Sequence, residues 1–153
     1  MKIFEVKEIG IRFQHSKKWT PKCEKKDEVY QIHLIPATLK QQDTFGIIIV
    51  ENLKNEFTLE EYLLKGKNDL KTIEEQTPLV IQNINSKINQ KFSGTNSATL
   101  EYEIQNPEAE DLFFVNATIL LRNGIGYVFQ INGPKKTYNK ERIQKIFDTV
   151  QFF

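Results

Sequence analysis

Apolar and polar residues alternate along much of the chain, and a period of two is typical of strands that bury one face. The first such segment covers residues 3–6 and continues through residues 9–13, with Gly10 as a bend or bulge. Residues 29–35 form the next strand, and Pro36 ends it because proline donates no hydrogen bond to a strand ladder.

Charged residues dominate positions 17–28, where Thr20-Pro21 also breaks the alternation. We expect this segment to be an exposed, mobile loop that is dispensable for folding. Trp19 follows an alternating strand, and we expect it to be buried and to close one end of the sandwich. Residues 37–44 are polar and predict a second loop.

Residues 46–50 are apolar on both faces, which is typical of a central strand covered from two sides. A helix follows, with Thr58 as N-cap and Glu61 at the capping-box position. Gly66 interrupts this helix at a cost of about 1 kcal/mol relative to alanine, and Thr77-Pro78 closes it. The apolar stripe of the helix consists of Leu59, Tyr62, Leu63, Leu70 and Ile73.

A strand meander is predicted after this helix. Asn123-Gly124 is the strongest hairpin signal in the chain, Gly94 begins another turn, and residues 106–111 form an acidic turn. The predicted strands cover residues 79–84, 88–92, 98–104, 112–121 and 125–131, and the first two of them pair. A second helix is predicted over 138–148 with Asn139 as its cap, and a short strand over 150–153 ends the chain.

This order of elements predicts an α+β fold with a mainly antiparallel β-sheet flanked by helices. Because the strand at residues 46–50 needs cover on both faces, we expect an α/β/α sandwich. No repeat, low-complexity tract or linker interrupts the chain, so residues 1–153 are expected to form a single domain.

Five features of this layout occur together in one known superfamily. They are the strand at 9–13 that leads to Trp19, the helix start at 58–63, the Phe92-Ser93-Gly94 step, the hairpin at 123–127 and the ending at 146–152. In these features the chain resembles the PsbP-like and Mog1-like superfamily, which includes bacterial DcrB-like proteins, over nearly its whole length. The resemblance implies an antiparallel sheet sandwiched by helices and an accessory or binding role.

The composition indicates a folded protein, because 39% of the 153 residues are hydrophobic and 11% are aromatic. The 21 basic and 20 acidic residues leave a net charge of +1, so no overall field favours nucleic acid. The first residues resemble no signal peptide, and no apolar run is long enough for a membrane span. We expect a soluble protein that is cytoplasmic, or an exported mature domain whose signal peptide lies outside this sequence.

Candidate chemistry is sparse. His15 and His33 could join Cys23 in a three-ligand metal site, but no pair has the spacing of a metal motif. Cys23 could also be a nucleophile, because the lysines around it would lower the pKa of a thiol, yet no protease-type signature surrounds it. We therefore expect no catalytic, cofactor-binding or metal-binding residues and no resident cofactor.

Three further motifs have ordinary structural explanations. The glycosylation sequon Asn116-Ala117-Thr118 lies in the middle of a predicted strand, and residues 93–97 are expected to be a polar turn. Lys135-Lys136 and the basic residues of the last helix form a modest basic face, beside which Tyr127 and Tyr138 are expected to serve packing.

Because no catalytic set is found, the sequence favours a non-enzymatic binding or accessory protein that acts through contacts with an unidentified protein partner. The alternative is a small-ligand or lipid carrier with a pocket between the sheet and a helix. An unrecognised enzyme is the third hypothesis, and it needs His15, His33, Cys23 or paired carboxylates to converge in one cleft.

Overall fold

The computed structural model describes residues 1–38, 43–109 and 111–153. Half of the predicted loop at 37–44 and one residue of the predicted turn at 106–111 therefore lie outside the described residues. The elements in chain order are β1 (Lys2–Val6), β2 (Ile11–His15), β3 (Trp19–Lys26), β4 (Val29–Pro36), β5 (Phe45–Asn52), α1 (Leu59–Gln76), β6 (Val80–Phe92), β7 (Thr95–Gln105), β8 (Leu112–Arg122), β9 (Ile125–Pro134), α2 (Lys140–Phe147) and β10 (Gln151–Phe152).

Two antiparallel sheets organise these elements. The larger sheet has seven strands in the order β3-β4-β5-β9-β8-β7-β6, and the smaller has the order β1-β2-β10. Every paired strand runs antiparallel to its neighbour. The predicted α+β class with a mainly antiparallel sheet is confirmed.

The two helices cover opposite faces of the large sheet. On β9, Tyr127, Phe129 and Ile131 belong to the core cluster that includes α2 and the small sheet. Val128, which points the other way along the same strand, packs against the cluster that includes α1. The predicted arrangement of helices on both sides of the sheet is therefore confirmed.

Phe129 is the centre of the core on the α2 side. Its ring stacks on Phe92 at 4.3 Å and meets the edges of Phe147 at 5.4 Å and Phe152 at 6.3 Å between ring centroids. Each fully buried large side chain contributes about 1.5–3 kcal/mol through burial. Aromatic packing thus joins β6, β9, α2 and β10 around one strand.

Strand β5 is covered from both sides, as its apolar run predicts. Ile48 and Val50 are buried on the α2 face, and Ile49 is partly buried on the other face. A Cβ atom at Gly46 would lie 2.9 Å from Cγ2 of Ile143, so α2 rests directly on the β5 backbone at this glycine. The glycine therefore sets how closely α2 approaches the sheet.

The N-terminal prediction of one bent strand is wrong, because residues 2–15 form a hairpin. A 3₁₀ turn over Lys7–Ile9 ends at Gly10, whose φ of 61° lies in the left-handed region. The chain reverses there, and Lys2 pairs with His15. Glycine adopts this conformation without steric cost. Because apolar and polar residues alternate on both sides of Gly10, the sequence pattern did not reveal that the chain reverses direction there.

The predicted loop at 17–28 is also wrong, because Trp19–Lys26 is strand β3 and pairs with β4. β3 is an edge of the large sheet, where charged side chains and a proline are tolerated. Most of its side chains are exposed, so no alternation marks it in the sequence. Trp19 is 8% exposed within the α2-side core, which confirms its predicted burial.

The two strands predicted over residues 79–92 form a single strand, β6, which is the opposite edge of the large sheet. Its pairing with β7 shifts between Gln82 and Asn85 and again between Lys87 and Gln90. A residue in each shift has a positive φ, namely Asn83 at 54° and Asn89 at 62°. Such β-bulges break the alternation, which made one strand resemble two.

The helix boundaries follow the predicted signals at α1 and less closely at α2. Thr58 Oγ1 accepts from the backbone N–H of Glu61, and Glu61 Oε1 accepts from the N–H of Thr58, each at 3.1 Å. The predicted capping box is thus confirmed. Asn139 holds the N-cap position of α2 without a side-chain capping bond, and α2 covers 140–147 rather than 138–148.

The Asn123-Gly124 hairpin is confirmed, with both residues at positive φ.

Glu103 on β7 joins β6 to the turn after β9. Its carboxylate accepts from Lys135 Nζ at 3.0 Å, from Gln82 Nε2 at 3.2 Å and from Asn83 Nδ2 at 3.1 Å. The bond from Lys135, followed by those from the two amides, lowers the pKa of Glu103. The bulge at Asn83 thus supplies a partner for a carboxylate that is nearly inaccessible to solvent.

We expect Trp19→Ala to lower the free energy of unfolding by about 3–5 kcal/mol, because truncation of a buried large aromatic leaves a cavity. Trp19→Phe is the matched variant, and it should cost less because it retains most of the apolar volume. Chemical denaturation measures both. An alanine variant that unfolds at the wild-type denaturant concentration would contradict the assigned role of Trp19.

We expect Glu103→Gln to weaken the dependence of the free energy of unfolding on pH in the acidic range. Because the pKa of Glu103 is lowered in the folded state, its ionised form stabilises the fold above the unfolded pKa of about 4.3. That contribution is lost as the pH falls through the folded pKa. The difference in unfolding free energy between wild type and variant should therefore be present at neutral pH and shrink on acidification. Urea denaturation across this pH range is the measurement, and a difference that grows in acid would exclude the mechanism.

Candidate functional site

A groove lies between helix α1 and the sheet face that this helix covers, and we name it the α1 groove. It has a volume of about 260 Å³. Its floor is apolar and comes from four strands; the floor residues are Ile49, Leu100, Tyr102, Ala117, Ile119 and Val128. Its helical wall comprises Tyr62, Lys65, Gly66, Asp69, Leu70 and Ile73, and Glu51 and Gln130 complete the lining.

Tyr62 fixes the first turns of α1 to the sheet. A Cβ atom at Gly126 would collide with the Tyr62 hydroxyl, so the ring lies on the β9 backbone only because residue 126 is glycine. The hydroxyl donates to Glu51 Oε1 at 2.8 Å. Burial raises the pKa of Tyr62, and the bond to Glu51 raises it further. Tyr62 is therefore a neutral donor that anchors one side of the groove.

Gly66 leaves the helical wall of the groove open. A Cβ atom at this position would lie 3.8 Å from Ile119 Cδ1 and 3.8 Å from Leu100 Cδ2, which is ordinary van der Waals contact. Packing therefore does not require glycine here, although glycine in a helix costs about 1 kcal/mol relative to alanine. The missing side chain leaves a methyl-sized space between the helix and the apolar floor.

The polar side of the groove carries charges of both signs. Lys65 Nζ lies 3.8 Å from Glu51 Oε1 and 3.3 Å from Asp69 Oδ2. These pairs are partly exposed, and exposed ion pairs contribute only about 0–1 kcal/mol. They can rearrange at little cost when another charged group approaches.

Two polar side chains of the lining lack a hydrogen-bond partner within the described residues. They are Tyr102 in the floor and Gln130 on β9. Burial raises the pKa of Tyr102 to about 12, so its hydroxyl keeps its proton at neutral pH. The groove therefore combines an apolar floor with a donor and an amide that are available to a bound group.

The three side chains considered for metal binding or catalysis do not converge. His15 lies in the small sheet, with Nδ1 2.9 Å from the carbonyl oxygen of Ser16. Cys23 is opposite Ile32 and His33 is opposite Lys22, so the thiol and the second imidazole point to opposite faces of the sheet. In the described parts of the chain, no group of three or more His, Cys, Asp or Glu side chains is placed to hold a metal ion.

The lysines around Cys23 do not lower the pKa of its thiol. Partial burial raises the pKa of the Cys23 thiol, and Glu8 and Glu24 raise it further.

Two lysines of the basic face at the C-terminal end form ion pairs. Lys135 pairs with Glu103 at 3.0 Å, and Lys136 pairs with Asp111 at 3.2 Å. Tyr127 and Tyr138 donate to the carbonyl oxygens of Ile9 and Ile131, at 2.9 and 3.1 Å. Both tyrosines serve packing, as predicted.

Two other motifs lie where strands bury them. Asn116 of the sequon is in the middle of β8, 5% exposed, and donates to Glu101. The predicted polar turn at 93–97 is shorter than expected, because only Ser93 and Gly94 form the turn and β7 begins at Thr95. Ser97 is fully buried in that strand.

Sequence reasoning did not locate the α1 groove, although one signal was available. Gly66 falls on the apolar stripe of α1, between Tyr62 and Leu70, where helical spacing favours a large apolar residue. A gap in such a stripe predicts a gap in packing. The floor residues come from four strands, and their convergence depends on the sheet order.

Comparisons with known proteins concern the fold. No family model and no curated protein matches the chain. Among the described residues, no helix is both long and apolar enough to cross a membrane.

Three solved structures are similar to the chain. The solution structure of cyanobacterial PsbP (CyanoP) from Synechocystis sp. PCC 6803 has a TM-score of 0.72 and 15% identity, covering 99% of this chain and 92% of that one. The Ran-binding protein Mog1p of Saccharomyces cerevisiae has a TM-score of 0.60 and 12% identity, with 99% and 94% covered. A protein from Bacteroides thetaiotaomicron VPI-5482 has a TM-score of 0.56 and 11% identity, and the match covers 99% of this chain but 48% of that one. The chain therefore has the PsbP-like and Mog1-like fold that its sequence resemblance implies.

Proposed function

We propose that this protein is a non-enzymatic accessory protein that binds another protein, and that the α1 groove receives anchoring side chains of that partner. The observation that carries the proposal is the groove with an apolar floor that lies beside Gly66. Binding energy at protein interfaces concentrates in a few apolar or aromatic anchors that fill such pockets.

The size of the groove favours a protein partner over a carried lipid or drug-sized molecule. Its volume of about 260 Å³ is below the roughly 300–1,000 Å³ of typical ligand pockets. One or two side chains fill such a space, whereas a lipid or drug-sized ligand exceeds it. Ile73 at its edge is 37% exposed, so the apolar lining of the groove reaches the surface.

The polar groups of the groove suit an incoming polypeptide. Tyr102 offers a neutral hydroxyl, and Gln130 offers both an amide donor and a carbonyl acceptor. Backbone carbonyl and N–H groups of a bound segment would pair with them. Lys65, Asp69 and Glu51 would contact charges at the edge, where they contribute more to specificity than to affinity.

The fold comparison supports this proposal by analogy. Mog1p is a Ran-binding protein, so a chain of this fold serves in protein recognition. Fold alone does not transfer a partner at 12% identity. The analogy extends to the class of function, which is binding of a protein.

The carrier hypothesis remains the alternative, because an apolar groove does lie between the sheet and a helix. Native mass spectrometry of the purified protein distinguishes the two. A stoichiometric small molecule or lipid that is retained by wild type and lost from Ile73→Glu would favour the carrier.

We expect Ile73→Glu to abolish capture of the partner, because it places a carboxylate at the edge of the apolar floor. The matched control is Ile3→Glu, which makes the same change at an exposed isoleucine of the small sheet. A photo-reactive benzoylphenylalanine at position 73 or position 3, used in extract of the native organism, is the readout.

A protein that crosslinks at position 73 and not at position 3, and whose capture Ile3→Glu leaves intact, supports the proposal. Equal crosslinking at both positions, or capture that survives Ile73→Glu, would overturn it. Circular dichroism confirms that both variants fold.

We expect Gly66→Ala to raise the free energy of unfolding by about 0.5–1 kcal/mol, because alanine favours the helix and its methyl group fits at 3.8 Å from the floor. The same variant should bind the partner more weakly. Gly126→Ala is the matched control and should destabilise the protein by displacing Tyr62. Thermal and chemical denaturation test the pair, and a destabilised Gly66→Ala would mean that packing, rather than binding, requires the glycine.

A further inference from the structure

A second concave surface lies on the opposite face of the sheet, between α2 and strands β6, β7 and β8. We name it the polar basin; its volume is about 250 Å³. The residues that define it are Ser97, Thr99 and Glu101 on β7, Asn116 on β8, Lys87 on β6 and Lys140 on α2. It shares no lining residue with the α1 groove.

The floor of the basin is polar, and two of its positions, Ser97 and Asn116, are buried. Strand β7 directs Ala98, Leu100 and Tyr102 toward α1, and it directs Ser97, Thr99 and Glu101 toward the basin. A solvated strand face would leave such polar side chains exposed. Ser97 is instead 0% exposed.

The hydroxyl of Ser97 is the most informative atom of the basin. Ser97 Oγ is buried and has no hydrogen-bond partner within the described residues. A buried polar group without a partner costs about 1–3 kcal/mol. Ser93, four positions earlier, satisfies its hydroxyl by donating to the carbonyl oxygen of Val150 at 2.7 Å. An unpaired hydroxyl that lines a polar concavity is a position at which a bound molecule can supply the partner.

The charges around the basin select the ligand. Lys87 and Lys140 form no ion pair with the described part of the chain, in contrast to Lys135 and Lys136 nearby. Two ammonium groups from different elements therefore border the same concavity. They favour a ligand that carries an anionic group, such as a phosphate.

The floor of the basin favours hydroxyl groups of a ligand, whereas the lysines at its border favour an anionic group. Glu101 Oε1 accepts from Asn116 Nδ2 at 2.6 Å, and its other oxygen remains free to accept. A carboxylate accepts from hydroxyl donors, whereas it repels a second anion. Ser97 can donate to or accept from a hydroxyl in the same place.

We propose that the polar basin binds a small phosphorylated polyol of the sugar-phosphate class, with its phosphate at Lys87 and Lys140 and its hydroxyl groups at Ser97 and Glu101. The volume equals that of about eight waters in the liquid, which is sufficient for a molecule of this size. This site is independent of the protein-binding role of the α1 groove.

The test is titration of the ¹⁵N-labelled full chain with ribose 5-phosphate, inorganic phosphate and ribose, followed by amide chemical shifts. Ribose 5-phosphate should give saturable shifts at residues 97–101 and 116–118. Inorganic phosphate should bind more weakly, and ribose should give no saturable shift at the same concentrations.

Three variants assign the contacts. Lys87→Gln and Lys140→Gln should each raise the Kd for ribose 5-phosphate about tenfold, or about 1.4 kcal/mol. Ser97→Ala should raise it several-fold. Lys71→Gln, which removes an exposed lysine of α1 on the other face, is the matched control and should leave the Kd unchanged.

Absence of saturable shifts at the basin would overturn the proposal, as would shifts that Lys87→Gln and Lys140→Gln leave unchanged. Ribose binding as tightly as its phosphate would exclude the role of the lysines. Inorganic phosphate binding as tightly as ribose 5-phosphate would overturn the assignment of hydroxyl groups to Ser97 and Glu101.

Discussion

The two faces of the large sheet are covered over different strands, and this staggered cover is the constraint on which the rest of the structure depends. Helix α1 packs on β6, β7 and β8 on one face, whereas α2 and the small sheet pack on β4, β5 and β9 on the other. Strand β9 contributes to both cores and links them through Phe129 on one side and Val128 on the other. Two helices of 18 and 8 residues cannot cover both faces of seven strands.

The two concave surfaces follow from this stagger. The α1 groove opens where Gly66 leaves a gap between the helix and an apolar floor, and the polar basin opens where α2 stops short of β6 and β7. Their chemistry differs because β7 alternates: Leu100 faces the groove, and Thr99 and Glu101 face the basin. One strand thus supplies an apolar site and a polar site.

The sequence predicted the elements whose signals are local. The capping box at Thr58, the hairpin at Asn123-Gly124 and the two-sided burial of β5 all depend on neighbouring residues. Prediction from the sequence failed where exposure of side chains or a positive φ interrupted the alternation of apolar and polar residues. The failures are edge strand β3, bulged strand β6 and the reversal at Gly10. Neither concave surface was located, because the residues of each come from strands that are neighbours only through the sheet order.

The central claim is that the α1 groove is a protein-binding site, and hydrogen–deuterium exchange of the protein alone and with its captured partner tests it most directly. The account predicts slower exchange in α1 around Gly66–Ile73 and in the floor segments of β7 and β8, with β3 and the small sheet unchanged. Protection confined to β3 or the small sheet, with α1 unaffected, would contradict the account.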